Sequence, residues 1–441
     1  MSALARYFAA SGRRGGTPRY KGEKWAVGGS DLARSPISDT LIKEGIRVKI
    51  GHRIGNIGRD TALVAYNRAI PLNNPEILAA KRFGVPVVPY AELLGDITRQ
   101  YRTIAISGSH GKSTTTALAG LLLMKAKLDP TILIGTNLRE LGGKNMRMGN
   151  GPYLVLEADD FGAAFTHYSP TVAIVTNIDR EHLDYYGSFA NLKRAFLKFL
   201  AATRPHGAVI LNRDDNVLRS LRARIEKTAA TNRVQVAWYS AHGPEEKKIR
   251  AALKVPGVHN VSNAAAVLAL AKVLGISRGD ALRAMSAYRG AWRRMERRGS
   301  FRGAPVFDDY AHHPTEIKAS LQAFREKYPA RKILCVFQPH QAKRLEALFR
   351  EFTNAFDGAD ETIVLPAYQV AGRDVPPSAG RGAEALVRAI REKHPRRPIF
   401  YLEKPRDLRK AILAAAAPLS RHVIVMMGAG DIVELTDSLV S

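Results

Sequence analysis

The run Gly108-Ser109-His110-Gly111-Lys112-Ser113-Thr114-Thr115-Thr116 holds the residue types of a phosphate cradle. Glycines let backbone N–H groups approach phosphate oxygens, a helix start adds its positive dipole end, Lys112 brings a mobile cation, and Ser113 offers a hydroxyl to Mg²⁺. The spacing is not the common Walker form, which would place a glycine where this chain has Ile106. Ordinary tight turns also contain glycines this close together. The lysine, serine and three threonines set this run apart from them.

Other polar residues gather where apolar runs end. YLVLEADD closes on Glu157, Asp159 and Asp160, and TVAIVTN leads into Asn177-Ile178-Asp179-Arg180-Glu181-His182. Ligands of open parallel sheets bind at the carboxyl ends of strands, so a carboxylate and an imidazole there suit the Mg²⁺ of a bound nucleotide. Singly, the same residues read equally as a solvated loop and a helix cap. Asn263, in VPGVHNVSN before an alanine-rich helix, suits both a cap and the edge of an adenine. In Asp308-Asp309-Tyr310-Ala311-His312-His313-Pro314 two histidines are adjacent, and neighbouring side chains rarely share one ion. Substrate contact is expected there rather than zinc. Gln338-Pro339-His340 ends KILCVF, with Lys343 and Arg344 following, a set suited to an anionic ligand. Gly428-Ala429-Gly430-Asp431 has the look of a dinucleotide turn, but a lone GxG is weak evidence, and a nicotinamide cofactor is not expected.

These residues need strands and helices to hold them. Tyr101–Ser107 reads as a strand, and the helix pattern continues through Ala117–Lys125, which puts the glycines at a strand-to-helix turn. Strands alternate with helices from Trp25 to about Thr98, again from Tyr101 to about Glu296, and again from Phe301 to Ser441. Three α/β domains with parallel sheets follow, and 441 residues suit about three domains. MSALARYF reads as an amphipathic helix and SGRRGGTPRYKGEK as a basic loop. The net charge of +27 is spread along the chain, without an RNA-binding aromatic signature or zinc-finger spacing, so nucleic acid is not an expected partner. No apolar run reaches the roughly 18 residues of a membrane span and no signal-peptide layout is present; a soluble cytoplasmic protein with no membrane partner is expected. Cys335 is the single cysteine and is expected to be a buried strand residue.

Taken in order, GSHGKSTTT, LEADD, TNIDREHLD, PGVHNVSNA, DDYAHHPTE, FQPH and GAGDI resemble the Mur ligase family, over the chain from about Gly28 onward. GSHGKSTTT and DDYAHHPTE are the specific motifs; GAGDI is not. The resemblance implies a Rossmann-like UDP-sugar domain over 1–98, a P-loop ATPase domain over 99–297 and a Rossmann-like C-terminal domain over 298–441. It implies an enzyme that uses ATP and Mg²⁺ to join L-alanine to the lactyl carboxylate of UDP-N-acetylmuramate through an acyl phosphate, in peptidoglycan synthesis. By the same resemblance Gly108, Ser109, His110, Gly111 and Thr114 line the nucleotide, Lys112 steadies the β- and γ-phosphates, and Ser113, Glu157 and His182 hold Mg²⁺. Asn263 would meet adenine, Asp309 the ribose and Arg294 the phosphates. His340 and Arg344 would close over the reacting groups, with Tyr310 and His312 on the alanine side. A muropeptide-recycling ligase of the same family is the nearest alternative, and folylpolyglutamate synthase a more distant one. From other classes stand a basic P-loop NTPase acting on nucleic acid and an inactive, binding-only relative. Oligomeric state and preference among L-alanine, glycine and L-serine are not legible.

Three departures accompany the resemblance. Relatives open with a strand and a Gly-rich turn of the UDP site, which do not precede Met1, and a misassigned start codon is the expectation. Residues 11–24 read as an insertion. Gln341 stands where an arginine commonly follows the histidine of FQPH.

Overall fold

Between residues 26 and 98 the strands are short: β1 (Gly28–Asp31), β2 (Arg47–Ile50), β3 (Val64–Tyr66) and β4 (Val87–Pro89). They do not form one sheet; β1 pairs with β2 and β3 with β4, both in parallel. Each strand thus hydrogen-bonds on one side only, and β1 and β2 are largely exposed. Local signals still fix the intervening helices. Ser35 and Ser38 form a capping box at Pro36–Lys43, and Asn74 caps Pro75–Arg82. The computed structural model describes residues 1–11, 26–369, 380–416 and 418–440; apart from Ser11, the expected insertion at 11–24 lies outside them. The chain divides into two compact units, 1–252 with 262–288 and 253–261 with 289–441.

The expected helix at the start spans Ser2–Ser11 and buries Ala3, Leu4 and Tyr7 in the core of the first unit. Arg6, itself buried, donates to Glu44 at 2.6 Å. That unit is built on seven strands: β5 (Arg102–Ser107), β6 (Thr131–Leu138), β7 (Lys144–Arg147), β8 (Tyr153–Glu157), β9 (Val172–Val175), β10 (Ala208–Asn212) and β11 (Gln235–Tyr239). Their order is β11-β10-β9-β5-β8-β6-β7, parallel except for the β6–β7 pair. Strands β9, β5 and β8 lie side by side. Their carboxyl ends deliver Asn177, the cradle and Glu157 to one sheet edge.

The second unit contains β12 (Glu296–Phe301), β13 (Ala304–Asp309), β14 (Lys332–Phe337), β15 (Glu361–Val364), β16 (Ile399–Tyr401) and β17 (His422–Met427), ordered β12-β13-β17-β14-β15-β16. Only the β12–β13 hairpin is antiparallel. Ile333, Cys335 and Phe337 enter one core cluster and Leu334 and Val336 another, as a strand buried on both faces requires. This is why KILCVF is an unbroken apolar run, and Cys335 is buried as expected. Among the described residues no helix is long and apolar enough to cross a membrane.

Candidate active site

Strand β5 ends at Ser107 and the helix Lys112–Lys125 begins five residues later, so residues 108–111 make a tight loop. Gly108 has φ +140°, and a Cβ there would lie 2.0 Å from Thr176 Oγ1. Gly111 has φ +80°, and its Cβ would lie 2.4 Å from Asn263 Oδ1. Both positions demand glycine. The loop is laced to the β9 end: the His110 N–H donates to Asn177 Oδ1 at 2.9 Å, and Thr176 Oγ1 and Asn177 Nδ2 donate to the His110 carbonyl. The Asp179 N–H donates to Ser109 Oγ at 2.8 Å, and His110 Nε2 lies 3.0 Å from Asp179 Oδ2. No side chain caps the helix that starts at Lys112, as befits a helix end meant for an anion.

Lys112 Nζ donates to the carbonyls of Gly108 (2.6 Å) and Ser109 (3.1 Å) and to Asp160 Oδ1 (2.7 Å). Burial works against its charge, but Asp160, Asp159 and Glu157 outweigh that and hold the ammonium well above the ordinary lysine range. Asp160 is fully buried, and its Oδ2 has no hydrogen-bond partner among the described residues. Ser113 Oγ donates to Glu157 Oε1 at 2.9 Å, while the Gly135 N–H donates to Glu157 Oε2 at 2.7 Å. Burial raises the Glu157 carboxyl above its usual range, and the Gly135 hydrogen bond and Lys112 oppose that rise. Asp159, though an exposed residue, is likewise raised by desolvation of its carboxyl, against the pull of Lys112.

His182 sits at the start of a short helix, Leu183–Tyr186, with φ +54°, its ring edge-on to Phe161 at 5.1 Å. Ligand-capable atoms of Asp159, Asp160 and His182 all lie within 4.8 Å of one another. The expected Mg²⁺ set thus falls into two subgroups: Ser113 with Glu157, and His182 with Asp159 and Asp160. Hard oxygen donors beside an unpartnered buried carboxylate oxygen fit a divalent cation. Asn263 is buried against the loop, where its Oδ1 accepts from Thr115 at 3.2 Å.

In the second unit Asp309 is buried, and its carboxylate accepts from the N–H groups of Met295 (3.0 Å) and Ala311 (2.9 Å) and from Ser320 Oγ (3.1 Å). A ribose contact would compete with these bonds. Arg294 lies over the Tyr310 ring at 5.2 Å and 3.5 Å from Glu316. His312 Nδ1 is 3.3 Å from Glu316 Oε2. Arg344 Nη1 donates to the His340 carbonyl at 3.3 Å. The buried Arg293, which sequence reasoning passed over, binds Asp308 at 3.0 Å and the carbonyls of Gly428 (2.7 Å) and Gly430 (3.2 Å). Asp308 is pushed up to about 6 by burial, against the pull of Arg293.

Residues 20–102 match the catalytic domain of the Mur ligase family, 106–271 the Mur ligase middle domain, and 293–430 the Mur ligase glutamate ligase domain. The chain belongs to the Mur ligase family. Its similarity to the UDP-N-acetylmuramate–L-alanine ligase of Desulfosudis oleivorans is 37% identity over 433 residues, covering 95% of this chain and 93% of that one. The enzyme of the same name from Sorangium cellulosum is 38% identical, over 93% of this chain and 89% of its own. Among solved Mur ligases, the UDP-N-acetylmuramate–alanine ligase of Thermotoga maritima superposes with a TM-score of 0.77 at 27% identity, over 100% of this chain and 95% of that one. The fold is α/β with the family's three domains, as the motif order implies.

Sequence reasoning missed Asp160 as the partner of Lys112. LEADD displays the acidic pair but not which member turns toward the lysine.

Proposed function

We infer that this chain is an ATP-dependent ligase that joins L-alanine to UDP-N-acetylmuramate in peptidoglycan synthesis. Similarity to ligases of this specificity through 95% of the chain carries the reading. The substrate carboxylate oxygen takes the γ-phosphoryl group and ADP leaves. The alanine amine then attacks the acyl phosphate carbonyl, a proton is lost, and inorganic phosphate departs.

The cradle of Gly108, Ser109, His110, Gly111 and Thr114 lines the nucleotide phosphates, with the N–H groups of the uncapped helix start as donors, and Asn263 serves the adenine side. Lys112 moves part of its hydrogen bonding from Asp160 to the phosphates and neutralises charge that develops during transfer. Ser113, Glu157 and His182 would hold Mg²⁺, which when bound withdraws charge from the phosphates. Arg294, His340 and Arg344 would act on the reacting groups, Asp309 would serve the ribose, and Tyr310 and His312 the alanine. The division of labour is UDP-sugar binding over 1–98, ATP binding over 99–297 and amino-acid binding over 298–441.

Phosphate release tests this. It is expected only when ATP, Mg²⁺, UDP-N-acetylmuramate and L-alanine are present together. Release that ignores the sugar nucleotide, or that nucleic acid stimulates, would overturn the reading.

A further inference from the structure

The Gly428-Ala429-Gly430 turn has no part in the function described above, yet each of its glycines is sterically required. A Cβ on Gly430 would lie 2.5 Å from Tyr368 Cγ, and one on Gly428, where φ is +154°, would lie 2.7 Å from the Gln338 carbonyl oxygen. The turn is also held from behind, since Arg293 donates to the carbonyls of both glycines and is itself neutralised by Asp308.

Tyr368 has a second neighbour. Its ring stacks on the His340 imidazole, with centroids 5.6 Å apart and planes inclined by 13°. The backbone repeats the contact: the Tyr368 N–H donates to the Pro339 carbonyl at 2.8 Å, and the Gln341 N–H donates to the Tyr368 carbonyl at 3.2 Å. His340 in turn meets His312 edge-on at 5.7 Å. Loops following β17, β15, β14 and β13 therefore contribute Gly430, Tyr368, His340 and His312 to one chain of contacts, in which Tyr368 and His340 are the stacked pair.

We propose that Tyr368, seated on the Gly428–Gly430 turn, is the positioning residue that sets the plane of the His340 ring for the ligase reaction, and that this seat is what the glycine motif is for. The role assigned to His340 rests on the ligase reading; the placement of its ring does not. A stacked ring restricts the imidazole through its face, while Arg344 Nη1 lies 3.3 Å from its Nδ1 at the ring edge. The tyrosine hydroxyl takes no part.

Two measurements on the full chain test this. In the first, NMR follows a His340 ring-proton resonance, assigned by its disappearance in His340→Gln. Loss of the Tyr368 ring current in Tyr368→Ala is expected to shift it, while Tyr368→Phe retains it. In the second, steady-state assays of phosphate release vary alanine and ATP separately. Tyr368→Ala and Gly430→Ala are each expected to lower kcat/KM for L-alanine by about 10- to 100-fold, the scale of a slightly misplaced group. Their KM for ATP should stay within about twofold of the parent, Tyr368→Phe should recover most of the loss, and the double variant should be no worse than the poorer single one. Should Gly430→Ala fail to fold, the Tyr368 pair carries the test. A resonance that does not move in Tyr368→Ala overturns the proposal whatever the activity, as does an equal loss in the Phe and Ala variants. A resonance that moves without loss of alanine turnover upholds the positioning and overturns instead the role of His340 in the ligase reading.

Discussion

Lys112, partly buried, and Arg293, fully buried, each face a buried aspartate, but they are held for opposite purposes. Lys112 spreads its three donors over two carbonyls and Asp160, at the open end of a helix that no side chain caps. Every one of those bonds can be exchanged for a phosphate oxygen. Arg293 spends its planar fork on Asp308 and on two carbonyls of one turn, and it is 3% exposed. Its rigid, delocalised charge suits a permanent tie, whereas a compact ammonium on a flexible stem suits a load that is passed on. Removing the first should damage chemistry, and removing the second should damage the fold.

The largest effect is expected from Lys112→Ala, which should lower ligase turnover by about 10³-fold, the scale of losing a preorganised charge. Near-UV circular dichroism should stay native, because the change removes a loop cation rather than core volume. Next, Arg293→Ala should cost about 3–5 kcal/mol in denaturant unfolding, the range for a buried ion pair broken on one side. A near-native midpoint would erase the contrast between the two cations. Gly111→Ala should weaken ATP binding by roughly 5- to 100-fold in calorimetry, since a strained φ and a displaced Asn263 together cost about 1–3 kcal/mol.

The smallest effect concerns pH. Burial and then the charge of Arg294 lower His259 to about 4, with Glu316 opposing them. Between that value and its ordinary 6.5 the unfolded chain binds a proton that the folded one refuses, so this group's contribution to stability is complete above 6.5 and lost as pH falls toward 4. His259→Gln should therefore lose less stability than the parent on acidification across this window. Parallel denaturant midpoints that keep their spacing would contradict it.

The two cations also mark what the sequence made legible. Lys112 announces itself because its neighbours in sequence are its neighbours in space, and one loop carries the motif. Strands β5, β8, β9, β13, β14 and β17 were equally plain, since each is an apolar run ending in polar residues. Arg293 belongs to a pair of arginines in AWRRMER, and nothing local says which one turns inward to a turn 135 residues away. The same holds for Tyr368, whose partners come from β14 and from the turn after β17. The division of β1–β4 into two pairs was not legible either, because alternation predicts strands but not which edges they share.

The order of strands in the second sheet has a consequence for how the protein is made. β17 lies between β13 and β14, yet it begins only at His422, long after β13 has ended at Asp309 and β14 at Phe337. While the chain is still on the ribosome, β13 and β14 each present a bare edge, and the apolar faces of Val306, Phe307, Leu334 and Val336 have no finished layer to enter. Only when residues 422–427 emerge can the sheet close, and the same event delivers Gly428 and Gly430 to Arg293. Synthesis thus leaves the keystone of this unit to the end: a chain released before it would carry a complete phosphate cradle and no means of finishing the second half of the enzyme.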